Sequence, residues 1–243
     1  MSFQRFLFTS FCLLSEALIA RADSTAYVVL TNAPGSATPL NIETGKLGAA
    51  SFVPPQGIQI AQPPNRKELW ELIRPWTENA AYTISILDHS SLANIANIPL
   101  EMYPTSLAFD PAGKYAYVSG TEGFNSSTGE LLKIDVASRV IVQKVELGIN
   151  EFSDGRQLAF SSDGFTLFLP TYTYEVLAIA TASLTVAGVI PIPSSTGSLL
   201  VSGTTLLIPT GSELLYIDTT TLQQTKTASV TTNSSIIGMS PDK

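Results

Sequence analysis

From about residue 25 onward the chain is a succession of short apolar runs broken by Pro, Gly, Asp and Ser. Many runs alternate apolar and polar positions, as VIVQKV does from Val140 to Val145. Alternation at a period of two marks strands with one face toward a core, and the β-branched content excludes helical repeats. One unit recurs: an apolar strand, a Pro/Asp/Gly turn and a second apolar strand. It reads FDPAGKYAYV from Phe109 to Val118 and FSSDGFTLFL from Phe160 to Leu169. Weaker copies are AQPPNRKELW (Ala61 to Trp70) and VSGTTLLI (Val201 to Ile208), and MSPDK (Met239 to Lys243) is a fifth start. Gly113 and Gly164 stand where a tight hairpin needs positive φ, with Asn65 in the equivalent place of the weaker copy.

A second unit is an apolar strand that ends on an acidic or polar residue and runs into a Ser/Thr turn. Its copies are TPLNIET, ISILDHSS, LLKIDVAS, VLAIATAS and LLYIDTTT. Their key positions, Asn41, Asp88 and Asp135, are 47 residues apart; Ala180 follows after 45 and Asp218 after 38. Two hairpins in each such period make a four-stranded antiparallel unit. The fold class is therefore all-β, and the period predicts a β-propeller, with solenoids as the competing repeat architecture. In the best copy strand A is Ser106 to Asp110, B is Tyr115 to Gly120, C is Leu131 to Asp135 and D is Val140 to Val145.

FDPAGKYAYV followed by LLKIDVASRVIVQKVELG resembles the YVTN-type β-propeller repeat of bacterial surface and periplasmic proteins. AYVVLTN, from Ala26 to Asn32, is similar to the strand for which that family is named. The resemblance implies a propeller across residues 23–243. It leaves function open, because the wider group includes surface-layer proteins, lactonase-like enzymes and electron-transfer partners. The fourth unit departs from the pattern, being short and carrying Ser202-Gly203-Thr204 in its turn.

The N-terminus has a different character. Arg5 precedes an apolar stretch from Phe6 to Ile19, and Ala20-Arg21-Ala22 offers small residues at both positions a signal peptidase reads. Residues 1–22 are expected to be a signal peptide, with cleavage before Asp23 and delivery to the periplasm, cell surface or medium. The competing reading is an N-terminal anchor; the run is short for a span, and Glu16 interrupts it. The single cysteine, Cys12, lies inside this segment, so the mature chain would have no disulfide, thiolate ligand or cysteine nucleophile.

Composition narrows the function classes. Hydrophobic residues make up 44% of the 243 residues and charged ones 14%, which excludes a disordered chain. The net charge of −7 leaves no basic stripe for phosphates, so nucleic acid is not an expected partner. No long apolar run follows the N-terminus, so no helical membrane span is expected after cleavage. No cofactor is implied, and a monomer is expected.

With strands running A to D outward, the A–B and C–D turns share one face and the B–C and D–A loops the other. Ligand sites concentrate where loops vary over a rigid scaffold. The candidate ligand face therefore carries Arg74, Trp76, Glu101, Tyr103, Phe124, Glu151, Arg156, Tyr172 and Tyr174. Glu78, Glu122, Asn125, Asn150, Asp154, Glu175 and Glu213 lie beside them. Aromatics beside carboxylates and amides suit a glycan or a protein surface. The plainer role for Trp76, Phe124 and Tyr172 is to cover the ends of the core between units. His89, the only histidine, is expected as an exposed turn residue, so no Ser–His–Asp triad is positioned. Nitrogen and sulfur ligands for zinc are lacking, and no loop has the carboxylate density of an EF-hand. Asn125-Ser126-Ser127 and Asn233-Ser234-Ser235 fit the glycosylation pattern, which matters only in a eukaryotic host.

The expected function is a non-enzymatic binding or scaffold module. The alternatives are a lactonase-like or glycan-active hydrolase using Glu101, Glu151 and Asp154, and a fragment of a longer propeller protein. The mature chain opens on a B-type strand, Ala26 to Leu30, and ends on an A-type strand, Ser235 to Ser240. About five blades are expected, with the ring closed by pairing these two strands.

Overall fold

The computed structural model describes residues 21–230 apart from 23–24, 31–35, 42–43, 45, 49–50, 53–56, 65, 76–80, 124–125, 151–156, 195 and 197. Twenty strands among the described residues form five four-stranded sheets. The first contains β1 (Arg21–Ala22), β2 (Thr25–Leu30), β3 (Ser36–Asn41) and β4 (Ser51–Phe52). The second contains β5 (Gly57–Ala61), β6 (Glu68–Ile73), β7 (Tyr82–Asp88) and β8 (Asn94–Leu100). The third contains β9 (Tyr103–Phe109), β10 (Tyr115–Thr121), β11 (Thr128–Asp135) and β12 (Val140–Asn150). The fourth contains β13 (Ala159–Phe160), β14 (Thr166–Pro170), β15 (Glu175–Ala180) and β16 (Thr185–Pro191). The fifth contains β17 (Leu200–Ser202), β18 (Thr205–Thr210), β19 (Glu213–Asp218) and β20 (Gln224–Ser229). Strand order within each sheet follows the chain, and every neighbour is antiparallel.

The repeat units found in the sequence fall on these hairpins, but several strands are longer than the pattern predicts. β9 begins three residues early and stops before Asp110, whose carboxylate accepts the Lys114 amide at 2.8 Å and so belongs to the turn. β11 starts at Thr128, and β12 runs on to Asn150, because the two strands stay paired through Glu130↔Glu146 and Thr128↔Asn150. Asn150 is therefore a strand residue, not part of the loop that follows. The first sheet also differs from expectation. A strand does precede β2: β1 pairs Arg21 with Ala26 and Ala22 with Thr25. Both β1 residues lie in the segment read as leader. The expected closing strand, Ser235 to Ser240, lies outside the described residues.

Side chains alternate between two buried faces, which is why strands B and C read as nearly continuous apolar runs. Val118 and Leu132 face the second sheet and join a core with Trp70, Leu72, Ile84 and Ile86. Tyr117 and Leu131, one position along, face the fourth sheet and pack with Leu167, Leu169, Leu177 and Ile179. Phe168, Val176 and Ala178 in turn meet Leu206, Ile208 and Ile217 of the fifth sheet. The strand next to solvent in each sheet buries only one side. Val140 and Val142 of β12 are about half exposed.

The turns explain the second repeat. In three of them the Asp carboxylate accepts both the amide and the hydroxyl of the residue three positions on. The distances are 2.8 and 2.8 Å for Asp88 with Ser91, 2.8 and 2.8 Å for Asp135 with Ser138, and 2.7 and 3.0 Å for Asp218 with Thr221. Asn41 accepts from Thr44 in the same way. These donors hold the three Asp carboxyls below the ordinary carboxylate range. Ala180 lacks the carboxylate, yet its turn keeps the backbone bond from the Leu184 amide to the Ala180 carbonyl at 2.8 Å.

The residue that ends each of these turns has positive φ without being glycine: Leu92 at 57°, Arg139 at 60°, Leu184 at 58° and Leu222 at 59°. Such a backbone costs about 1 kcal/mol or more. The cost is offset because three of these side chains lean onto the preceding sheet. Arg139 donates to Glu68 at 3.0 Å, and Leu184 joins the core with Tyr117 and Leu131. The tip of Leu222 fills the space that a Cβ on Gly188 would need. On the same end, a Cβ on Gly113 (φ 66°) would lie 2.6 Å from the Pro64 carbonyl, and Ser162 donates to the Gly203 carbonyl at 2.6 Å. Neighbouring A–B turns are therefore in contact. The open edge of β9 is capped by Gln59 of β5, whose amide donates to the Leu107 carbonyl and accepts the Leu107 amide, each at 2.7 Å.

Candidate functional site

The B–C and D–A connections emerge together, opposite the stereotyped turns. The structure divides the candidates there into three groups. Arg74 and Tyr103 are brought together, but they are buried, 5% and 7% exposed. The Arg74 guanidinium lies 4.7 Å from the Tyr103 ring centroid and donates to the Pro104 carbonyl at 3.2 Å. Tyr82 meets Tyr103 edge-on, with ring centroids 5.5 Å apart. These side chains seal the end of the core between the second and third sheets. Tyr103, read from sequence as an exposed loop aromatic, is the first residue of β9, because that strand starts earlier than its apolar pattern indicates.

Trp76, Phe124, Glu151 and Arg156 lie outside the described residues, as do Glu78, Asn125 and Asp154. Glu101, Glu122, Tyr172 and Tyr174 are exposed, the two tyrosines at 45% and 55%. The tyrosines belong to the three-residue loop 172–174 between β14 and β15. Thr171 closes it, donating its amide to the Glu175 carbonyl at 2.9 Å and its hydroxyl to the same oxygen at 3.2 Å. Tyr174 has φ 60°, and its carbonyl accepts the Ile192 amide at 2.9 Å, which ties the loop to the end of β16. The Thr171 and Thr173 hydroxyls are 2.8 Å apart, and the Thr173 hydroxyl donates to the Glu175 carboxylate at 3.3 Å.

Two buried carboxylates escaped the reading of the sequence. Glu130 is 2% exposed, with one oxygen 2.8 Å from Lys144 Nζ and the other buried without a hydrogen bond. Glu71 is 1% exposed; its Oε2 also lacks a partner, and burial raises its pKa to about 8. The signal for Glu71 was available, since a charge sits mid-strand in LWELI, between residues that are all buried. Glu130 had no such signal, because β11 starts earlier than its apolar run. His89 lies in the β7–β8 turn but is half-buried, and its amide donates to the Lys67 carbonyl at 3.2 Å. Among the described residues no three His, Cys, Asp or Glu side chains group so as to hold a metal ion. Nor is any helix there long and apolar enough to cross a membrane.

Successive four-stranded meanders packed face to face through shared cores define a β-propeller fold. Solved structures support this class. The chain matches Kuenenia stuttgartiensis hydrazine synthase with a TM-score of 0.69 at 19% identity, covering 83% of this chain and 64% of that one. It matches the β-propeller domain of Myceliophteria thermophila Cps50 (Swd1) with a TM-score of 0.66 at 10% identity, covering 89% and 73%. At these identities the likeness is one of fold. No protein-family profile matches the chain, and no curated protein matches it in sequence.

Proposed function

We propose that the protein is an exported, non-enzymatic propeller that binds a protein or glycan on its B–C/D–A face. The observation that carries this reading is the contrast between the two faces. On one, the turns repeat the same self-contained bonds and abut one another, so their side chains serve the scaffold. On the other, the connections differ from sheet to sheet and expose Glu101, Glu122, Tyr172 and Tyr174. Export is supported by Ala20-Arg21-Ala22 after an apolar run, and by the likeness of FDPAGKYAYV and its neighbours to YVTN-type repeats of extracytoplasmic proteins. A ring of five blades is supported by the complementarity of MSPDK and STAYVVLTN, which read in succession like FDPAGKYAYVSG.

The test is a glycan and peptide array followed by two surface variants. Phe165→Ser changes a side chain 72% exposed on the opposite face, and any captured ligand should be retained. Glu101→Lys with Glu122→Lys reverses two exposed charges on the proposed face and should weaken capture. The reverse pattern would overturn the assignment of the face.

A further inference from the structure

Two neighbouring hairpins on this face share a frame. One reads TLFLPT, then Tyr172-Thr173-Tyr174, then EVLAIA; the other reads TLLIPT, then Gly211-Ser212, then ELLYID. In both, the Thr that follows Pro donates its hydroxyl to the carbonyl of the next Glu, at 3.2 Å in the first and 3.4 Å in the second. The second hairpin shows what closure requires: two small residues, with glycine at the left-handed position (Gly211, φ 58°). The first inserts a residue, places Tyr174 at φ 60° where glycine is the unstrained choice, and exposes both rings. Neither tyrosine belongs to the apolar cores between sheets. Hairpin closure and core packing therefore leave both rings unexplained.

The surroundings point to the chemistry of a ligand. The rings protrude from a tip that the Tyr174–Ile192 hydrogen bond holds in place. Beside them runs a row of hydroxyls, Thr171 to Thr173, ending on the Glu175 carboxylate. Residues 171–175, the following D–A connection 192–199 and the neighbouring loop 211–212 contain no Lys or Arg. A hydroxyl-rich, slightly acidic surface disfavours an anion. Protein hot spots seat an anchor in a desolvated pocket, whereas these aromatics stand proud of the surface. A sugar ring fits better. Its C–H face, weakly positive, lies on the negative face of an aromatic, and its hydroxyls reach donors and acceptors at the ring edge.

We propose that the β14–β15 hairpin is a saccharide-binding platform, in which Tyr172 and Tyr174 stack on an uncharged sugar while Thr173 and Glu175 bond its hydroxyls. This rests on the reading of the B–C/D–A face as the ligand face.

The test is calorimetric titration of the full-length protein with hexasaccharides of β-1,4-linked glucose, α-1,4-linked glucose and N-acetylglucosamine. A proline-rich decapeptide and a heparin hexasaccharide are run beside them. Tyr172→Ala with Tyr174→Gly should leave the melting temperature within about 2 °C, since neither ring is in the core. It should also weaken binding of a neutral hexasaccharide by about tenfold or more. Equal binding by both forms would overturn the platform while leaving the face reading intact. Binding of only the peptide or heparin, lost in the variant, would overturn the saccharide class and still leave the face reading. No binding of any probe would overturn the platform, and the array above then judges the face independently.

Discussion

Glu71 sits between Trp70 and Leu72 with one carboxylate oxygen buried and without a hydrogen bond, so a negative charge there is strongly disfavoured. Its pKa of about 8, raised by burial from 4.5, links it to stability. Below pH 4.5 the folded and unfolded chains are both protonated, and the site costs nothing. Between 4.5 and about 8 the unfolded chain releases a proton that the folded chain keeps, so stability falls as pH rises, then levels off above 8. Glu71→Gln removes the proton without changing the shape. Melting temperatures from pH 5 to 9 should fall less steeply for the variant, with the largest gain over the natural chain at the alkaline end. Parallel curves for the two forms would show that Glu71 is ionised in the folded protein. The sequence marked this residue as a charge inside an apolar strand. It did not show that both sides of the strand are covered, because that depends on the neighbouring sheet.

At the scale of the element, the C–D turn separates what is indispensable from what is auxiliary. All four turns with described left-handed closure keep the backbone bond to the first residue, but only those with Asp add the carboxylate bonds. Ala180→Asp would give the fourth sheet's turn the missing acceptor for the Ser183 amide and hydroxyl. A hydrogen bond of this kind is worth about 0.5–1.5 kcal/mol, so the melting temperature should rise by a few degrees. An unchanged or lower value would mean that the Ser183–Thr185 hydroxyl contact at 2.7 Å already holds the turn. Legibility varied by element for physical reasons. Turns were read well because Asp, Gly and Ser act through bonds a few residues away. Strand ends were read poorly because β9, β11 and β12 extend by pairing with neighbours, and pairing leaves no local mark. Tyr103 was misplaced for the same reason. Tyr172 and Tyr174 stand in a loop fixed by its own short bonds, and their exposure followed from the pattern alone.

At the scale of the whole molecule, the period of the repeat yielded the propeller class, while the fate of the terminal strands depends on processing. Cleavage after Ala22 would remove β1 and free the edge of β2. The C-terminal segment would then be its natural partner, because an open strand edge invites pairing with other chains. Intact-mass measurement of exported protein should show Asp23 as the first residue. Deleting Ser235 to Lys243 should then abolish soluble monomer. A mature form that keeps Met1 and partitions with membranes would overturn the leader reading, and unchanged stability after the deletion would overturn the closure.

The residue that ends each C–D turn leans onto the sheet made before it, as Arg139 does onto Glu68 and Leu222 onto Gly188. Every such seam therefore joins a newly synthesised sheet to one already finished, never to one still to come. The longest of these reaches, from Arg139 to Glu68, spans 71 residues. A chain leaving the ribosome can thus latch each sheet as its turn emerges, with short loops to close at each step. The apolar face of the newest sheet is left waiting only for the length of one further repeat, which limits the time an incomplete chain spends sticky.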